Sequence, residues 1–279
     1  MPADTTRDNY DFTALLHKAA GFPFACTFEH VGFWELRVAV AERYRSDRVF
    51  IAGDAAHSHP PYGGFGVNNG FEDAVNLAWK LAARLKGSGG EKLLDSYDLE
   101  RRLIFKEVGE KFIAARIKWE GEVINRHDPE RDPEAFARDW AELKTGAGPI
   151  VANFEPNYEG SPIVFGPADG VTSARGEYMF KARAGHHLMP QLLSSGRNVF
   201  DELGDRFVLL ALDAAEDAVS AFAAAAGNVP LKILRDNYAG GRADWAARLI
   251  LVRPDQYVAW TGNRAPDAGA IIRRAAGLD

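Results

Sequence analysis

Arg48–Leu85 reads RVFIAGDAAHSHPPYGGFGVNNGFEDAVNLAWKLAARL, and the order of residue types in it decides most of the fold. The apolar run Val49–Ala52 has the length and composition of a short buried strand. Gly53-Asp54 breaks it, and a loop rich in Pro and Gly follows. From about Val67 to Leu85 the pattern becomes helical, with Phe71, Val75, Ala78, Trp79 and Ala82 near one face. A Gly-Asp pair alone is equally well a simple turn. The whole succession says more, because a strand, an acidic turn, a glycine loop and a helix N-terminus together suit a polar, partly anionic ligand. The first N–H groups of a helix are unpaired and lie at the positive end of its dipole. Asp54 at the strand's end can accept hydrogen bonds from ligand hydroxyls. Pro60-Pro61 fixes the loop, and Gly63, Gly64 and Gly66 let backbone amides approach a planar ring.

Working outward, Phe12–Ala20 reads as a short helix stopped by Gly21 and Pro23, and Ala25–Ala41 is strand-like. Gly87-Ser88-Gly89-Gly90 ends the long helix. Helical periodicity resumes from Lys92 to about Asn125, and Pro133–Leu143 forms another short helix. Residues 144–177 are rich in Gly and Pro with little periodicity, which places the inter-domain connection there. Beyond it come a strand at Phe207–Leu212, a helix at Ala214–Ala226 and strands at Val229–Leu234, Ala247–Arg253 and Tyr257–Thr261. A helix at Pro266–Ala276 closes the chain. This β-α-β then β-β-α order is that of a small thioredoxin-like domain. The expected fold is therefore α/β (α+β), with a first part over 1–145, a linker over 146–176 and a thioredoxin-like domain over 177–279.

The 279 residues carry 33 basic and 39 acidic side chains, a net charge of −6 that argues against a general nucleic-acid or anionic-membrane binder. No apolar run reaches membrane-spanning length and the polar N-terminus is not a secretory signal, so a cytoplasmic protein is expected. Cys26 is the single cysteine, which excludes an internal disulfide and a CxxC pair.

The Arg48–Leu85 run resembles the second flavin-binding motif of the class A FAD-dependent aromatic hydroxylases. The branch it resembles contains the 3-(3-hydroxyphenyl)propionate, phenol and polyketide hydroxylases. YDLERR at Tyr97–Arg102 supports the resemblance, as do GRNVFDELGDRFVLLAL (196–212) and ARLILVRPDQYVAWTG (247–262). The latter two are similar to that branch's thioredoxin-like C-terminal domain, which commonly lacks redox cysteines. The resemblance implies hydroxylation of an aromatic, phenolic substrate by O2, with NAD(P)H as reductant and a flavin C4a-hydroperoxide as oxygen donor. It further implies that the Gly53-Asp54 turn binds FAD, with Asp54 on the ribityl chain. Pro60 lies beside the isoalloxazine ring and shapes the reacting pocket, and Gly63, Gly64 and Gly66 line the ring. The amides of Val67 and Asn68 face its N1–C2=O edge, where reduced flavin carries negative charge. The family's N-terminal G-x-G-x-x-G is absent from this sequence. The chain is therefore expected to be the C-terminal portion of such a hydroxylase and to retain FAD weakly or not at all by itself.

Two alternatives stand beside this reading. One is a non-catalytic or split-subunit interaction module that needs a partner chain to supply the missing half. The other, weaker, is a metal-dependent hydrolase using His57 and His59 in the D-x-x-H-x-H string that begins at Asp54. The remaining histidines, His17, His30, His127, His186 and His187, are scattered, so no metal site is assigned. His186-His187 reads as a loop pair. Trp79 and Trp119 read as core residues, whereas Trp34 is the tryptophan expected nearest a substrate.

Overall fold

The computed structural model of the protein describes residues 4–33, 37–145 and 153–279. The chain divides into two compact units, Met1–Leu36 and Arg37–Asp279. The first holds α1 (Phe12–Ala20), the helix expected there. Asp11 caps its N-terminus by accepting from the Ala14 N–H at 2.9 Å, and Gly21 ends it at φ 82°. Trp34 lies outside the described residues.

The second unit opens with two-residue strands. β1 (Ala39–Val40), β2 (Arg45–Ser46) and β3 (Val49–Phe50) precede a 3-10 turn at Gly53–Ala55, and β4 (His57–Ser58) follows it. β2 pairs with β3, and β1 pairs with β4, both antiparallel. The strand expected over Val49–Ala52 is thus only an arm of a tight hairpin turned at Asp47 (φ 52°), and Val49 is 65% exposed. The strand expected over Ala25–Ala41 is confined, among the described residues, to Ala39–Val40.

Long helices come next: α2 (Phe65–Leu85), α3 (Glu91–Glu107) and α4 (Ala115–Ile124). A π-helical stretch over Val108–Ala114 joins α3 to α4, so the helical run read from Lys92 to Asn125 is nearly continuous. In α5 (Pro133–Lys144), Asp132 caps the N-terminus and Pro133 occupies the first turn, where its missing N–H costs nothing.

The stretch read as loop carries a hairpin, β5 (Phe154–Tyr158) with β6 (Thr172–Arg175). A register shift between Phe154 and Asn157, with Pro156 inside it, erases the two-residue alternation a strand normally shows. The hairpin is tied to the C-terminal part by backbone bonds. The Tyr158 N–H donates to the Gly185 carbonyl at 2.7 Å, and the Gly185 N–H donates to the Val258 carbonyl at 2.8 Å. Gly185 (φ 94°) permits this, since a Cβ there would lie 2.7 Å from the Glu159 nitrogen.

After the short α6 (Phe200–Leu203), β7 (Phe207–Leu212), α7 (Glu216–Ala225), β8 (Leu231–Asp236), β9 (Leu249–Val252), β10 (Val258–Gly262) and α8 (Ala268–Ala275) follow the expected order. The sheet runs β10-β9-β7-β8, with β7 and β8 parallel and the other neighbours antiparallel. FVLLAL is apolar at every position because both faces of β7 are covered. Phe207, Leu209 and Ala211 pack with Phe222, Ile271 and Ile272, while Val208, Leu210 and Leu212 pack with Val199, Leu203 and Trp245. Among the described residues no helix is long and apolar enough to cross a membrane.

Candidate functional site

α2 begins where the glycine loop ends. Gly63 (φ 63°) and Gly64 (φ 70°) both adopt the left-handed conformation, and Gly64 occupies the N-cap without a side-chain cap. The helix therefore presents a bare N-terminus, starting at Phe65 rather than near Val67. Asp54, Gly63, Gly64, Val67 and Asn68 are exposed, and Gly53 and Gly66 are half-buried. Pro60 is buried, its carbonyl accepting from the Tyr62 N–H at 2.6 Å and from His59 Nδ1. The acidic turn is pinned to α2, because the Gly53 N–H donates to Asp73 Oδ2 at 3.0 Å. Gly53 and Gly70 lie backbone against backbone, so that a Cβ on Gly70 would meet Gly53 Cα at 3.6 Å.

The fully buried residues of α2 are polar, the reverse of the usual amphipathic arrangement, although Trp79 packs against the C-terminal core. Val67, Phe71, Val75 and Leu85 are exposed, whereas Asn69, Asp73, Asn76 and Lys80 are buried. The buried residues recur at helical spacing and meet Glu100 and Arg101 of Tyr97–Arg102, with Arg253 of 247–262 joining through Glu100. Glu100 accepts from Lys80 Nζ (2.7 Å), Asn76 Nδ2 (2.7 Å), Ser161 Oγ (2.6 Å) and both Nη atoms of Arg253 (2.7 and 2.8 Å). Arg253 also donates from Nε to Asp255 Oδ1 at 3.0 Å, and Asp255 Oδ2 accepts from the Trp79 indole at 3.0 Å. A second centre lies one turn away. Arg101 Nε donates to Asp73 Oδ1 at 2.8 Å, Arg101 Nη1 donates to the Tyr158 hydroxyl at 3.1 Å, and His57 Nε2 lies 2.8 Å from Asp73 Oδ2.

Lys80, Arg101 and Arg253 balance Asp73, Glu100 and Asp255, so the network is neutral although its members are nearly all fully buried. Burial alone would raise the Glu100 carboxyl, but the charges of Arg253 and Lys80 hold it well below the usual carboxylate range. Burial likewise works against ionisation of Asp73, and hydrogen bonds from His57 and Arg101 outweigh it, leaving its pKa lowered. Burial pulls the Lys80 ammonium down to about 8 against the attraction of Glu100.

His57 is thus committed to Asp73, and its ring stacks on Phe105 with centroids 3.7 Å apart. Among the described residues no group of three or more His, Cys, Asp or Glu side chains is placed to hold a metal. None of Asp73, Lys80, Glu100, Arg253 and Asp255 was singled out from the sequence. The stripe Asn69, Asp73, Asn76, Lys80 was the available signal, since it repeats at helical spacing as clearly as the apolar one.

A cavity of 770 Å³ lies beside the start of α2. Phe65, Phe71, Phe154, Phe200 and Tyr257 form much of its wall. Of the sequence-predicted residues it takes in Gly63, Gly64 and Asn68, leaving Gly53, Asp54, Pro60, Gly66 and Val67 outside. Its volume lies in the range of about 300–1,000 Å³ that encloses small organic ligands.

An uncapped helix start behind a left-handed glycine pair leaves the first N–H groups of α2 without side-chain partners, beside an acidic turn braced on that helix. Residues 3–111 match the family model "FAD binding domain", and residues 182–277 match "Aromatic-ring hydroxylase, C-terminal". The chain is a relative of the FAD-dependent aromatic and polyketide hydroxylases, the family its sequence resembles. It is 33% identical to a 4-methyl-5-nitrocatechol 5-monooxygenase from Burkholderia sp over 88% of its length and 46% of that protein's. Among solved structures it is similar to the rebeccamycin biosynthetic enzyme RebC with reduced flavin, with a TM-score of 0.79 and 29% identity. That match covers 98% of this chain and 54% of RebC. It is also similar to aklavinone-11 hydroxylase in complex with FAD and aklavinone, with a TM-score of 0.71 and 27% identity over 99% and 52% of the two chains. The chain spans about half the length of the relatives it matches.

Proposed function

We propose that this chain supplies the flavin-ring side of a monooxygenase that hydroxylates an aromatic, phenolic substrate, with FAD as cofactor, NAD(P)H as reductant and O2 as oxygen source. The observation that carries this reading is the bare N-terminus of α2 behind Gly63 and Gly64, where a β-carbon at either position would intrude on the loop's conformation. Bound FAD supplies the electron transfer and oxygen activation. The protein's own contribution is to bind, orient and exclude water. Asp54 takes the ribityl hydroxyls, Gly63, Gly64 and Gly66 admit the ring, and Pro60 stiffens the loop beside it from its buried position. The amides of Val67 and Asn68 meet the ring edge, where the helix dipole favours negative charge. Aromatic cavity walls keep the reacting region dry.

The division into 1–145, 146–176 and 177–279 belongs to this reading, as does a cytoplasmic setting. The C-terminal sheet is read as thioredoxin-like in strand order and structural in role, Cys26 being the chain's single cysteine.

Titration of riboflavin, which carries the ring and ribityl chain alone, tests the site. Saturable quenching of flavin fluorescence is expected, and Gly64→Val is expected to weaken it at least about tenfold. A wild-type chain that leaves the fluorescence unchanged, or a variant that binds equally well, would count against the reading.

The exposed apolar face of α2 favours a second reading, association with a partner chain. Val75, Ala78 and Ala82 line a 420 Å³ groove with Phe207, Val229 and Pro230. Size-exclusion chromatography with light scattering, on the chain alone and with a candidate partner, is expected to show a partner-dependent rise in mass. A monodisperse monomer under both conditions contradicts it.

A further inference from the structure

His186 is buried between two carboxylates. Its Nδ1 lies 2.7 Å from Glu155 Oε1, and its Nε2 lies 2.9 Å from Glu159 Oε1. An ionised carboxylate only accepts, so each contact needs its own hydrogen. The three groups together therefore hold one proton more than a neutral ring between two carboxylates. Imidazole is the stronger base, which places that proton on the ring, with Nδ1–H donating to Glu155 and Nε2–H donating to Glu159. Arg183 Nη2 donates to the same Glu155 oxygen at 3.2 Å, so imidazolium and guanidinium balance the two carboxylates. Glu177, in the same segment, contributes its carbonyl, which accepts from Arg183 at 2.7 Å. Tyr158 at the end of β5 and Tyr257 ahead of β10 stack with centroids 4.2 Å apart. Burial keeps both phenols neutral, that of Tyr158 being pushed up to about 12. His187 turns to other partners, with Nδ1 3.0 Å from the Leu188 carbonyl and its ring edge-on to Phe200 and Tyr257.

The three groups join two segments that both line the 770 Å³ cavity. Phe154 and Pro156 belong to β5, and Leu188 and Met189 follow His186 directly. Backbone bonds cross the same junction, from the Tyr158 N–H to the Gly185 carbonyl and from the Val258 N–H to the His186 carbonyl at 2.9 Å. We propose that His186 is a proton-dependent clasp: as an imidazolium it fixes the β5 wall of the cavity to the segment carrying Leu188, and it releases that wall when the ring gives up its extra proton. This positioning role needs no flavin. Loss of the proton leaves a ring lone pair facing a carboxylate and gives the buried group a net negative charge, both unfavourable away from water. The clasp is therefore closed while the ring is charged and opens as pH rises through the ring's titration.

The test combines backbone hydrogen exchange with nitrogen-15 spectra of the histidine rings, on the whole chain without flavin, from about pH 5 to pH 9. Both His186 ring N–H signals are expected at the lower end, their exchange slowed by the two carboxylates. Protection at the Tyr158 and Gly185 amides is expected to fall about tenfold, with the same midpoint as loss of the ring proton. The Leu212 amide, bonded to the Arg248 carbonyl at 2.8 Å, should keep its protection. Glu159→Gln keeps an acceptor and removes one charge, so both midpoints should move together to lower pH by about one unit. His186→Gln cannot titrate and should make the protection independent of pH. Where that variant does not fold, the wild type and Glu159→Gln carry the test, Glu159 being only half-buried. Flat wild-type protection, a missing ring N–H signal at the lower end, separate midpoints, or a midpoint unmoved in Glu159→Gln overturns the proposal. Riboflavin quenching is read at no step, so failure of the flavin reading and failure of the clasp remain separate results.

Discussion

Glu100→Gln is expected to cost about 3–5 kcal/mol of stability, read from urea-induced unfolding, because it removes one charge from a sealed, balanced network. The Glu100 carboxylate is completely buried and receives Lys80, Asn76, Ser161 and both Nη atoms of Arg253. Glutamine keeps the shape but presents an amide donor where cations already point. Asp255 alone then remains to offset two buried cations. The effect spreads, since Lys80 sits on α2, Glu100 on α3 and Arg253 at the end of β9. Losing the carboxylate loosens the contact between the helices and the C-terminal sheet. A loss below about 1 kcal/mol would mean that solvent reaches the network.

The same group sets an acid limit. The Glu100 pKa is lowered in the folded state, so its contribution is fully present above the unfolded value and is lost as pH falls through the folded one. Asp73 has the same sign. Stability should therefore decline below about pH 4.5. The decline should be shallower in Glu100→Gln, which no longer has that proton to take up.

Asp73→Ala is the second large effect, about 3–4 kcal/mol, with a consequence at the glycine loop that Glu100→Gln does not share. Asp73 holds the Arg101 guanidinium at 2.8 Å, His57 at 2.8 Å and the Gly53 N–H at 3.0 Å. Without it, Arg101 retains only neutral hydrogen-bond partners and the half-exposed Glu72 carboxylate 4.0 Å away. The Gly53-Asp54 turn simultaneously loses its attachment to α2. Riboflavin quenching under conditions where Asp73→Ala is still folded should weaken about tenfold or more, while Glu100→Gln leaves it nearly unchanged. Equal effects of the two variants on riboflavin would show that the turn is not positioned through Asp73.

The elements the sequence predicted well are those whose pattern is local. α1, α3 with α4, α5 and the β7-to-α8 succession follow from periodicity, caps and turns, because each is decided within one or two turns of chain. The hairpin of β5 and β6 escaped notice, since its bulge and Pro156 remove the alternation that marks a strand. The left-handed pair Gly63-Gly64 ahead of α2 was legible because such turns and helix starts favour glycine.

The orientation of α2 was not legible. Two stripes share that helix, one apolar through Phe71 and Val75 and one polar through Asp73 and Lys80, and burial of the apolar stripe is the ordinary expectation. The tertiary structure buries the polar stripe instead, because Glu100, Arg101 and Arg253 arrive from distant positions with complementary charge. The sequence by itself determined the local elements, the glycine loop and the family they belong to. Which face of α2 lies inside and which atoms a ligand meets were decided only by tertiary packing, since charge balance and hydrogen-bond satisfaction are properties of neighbours in space.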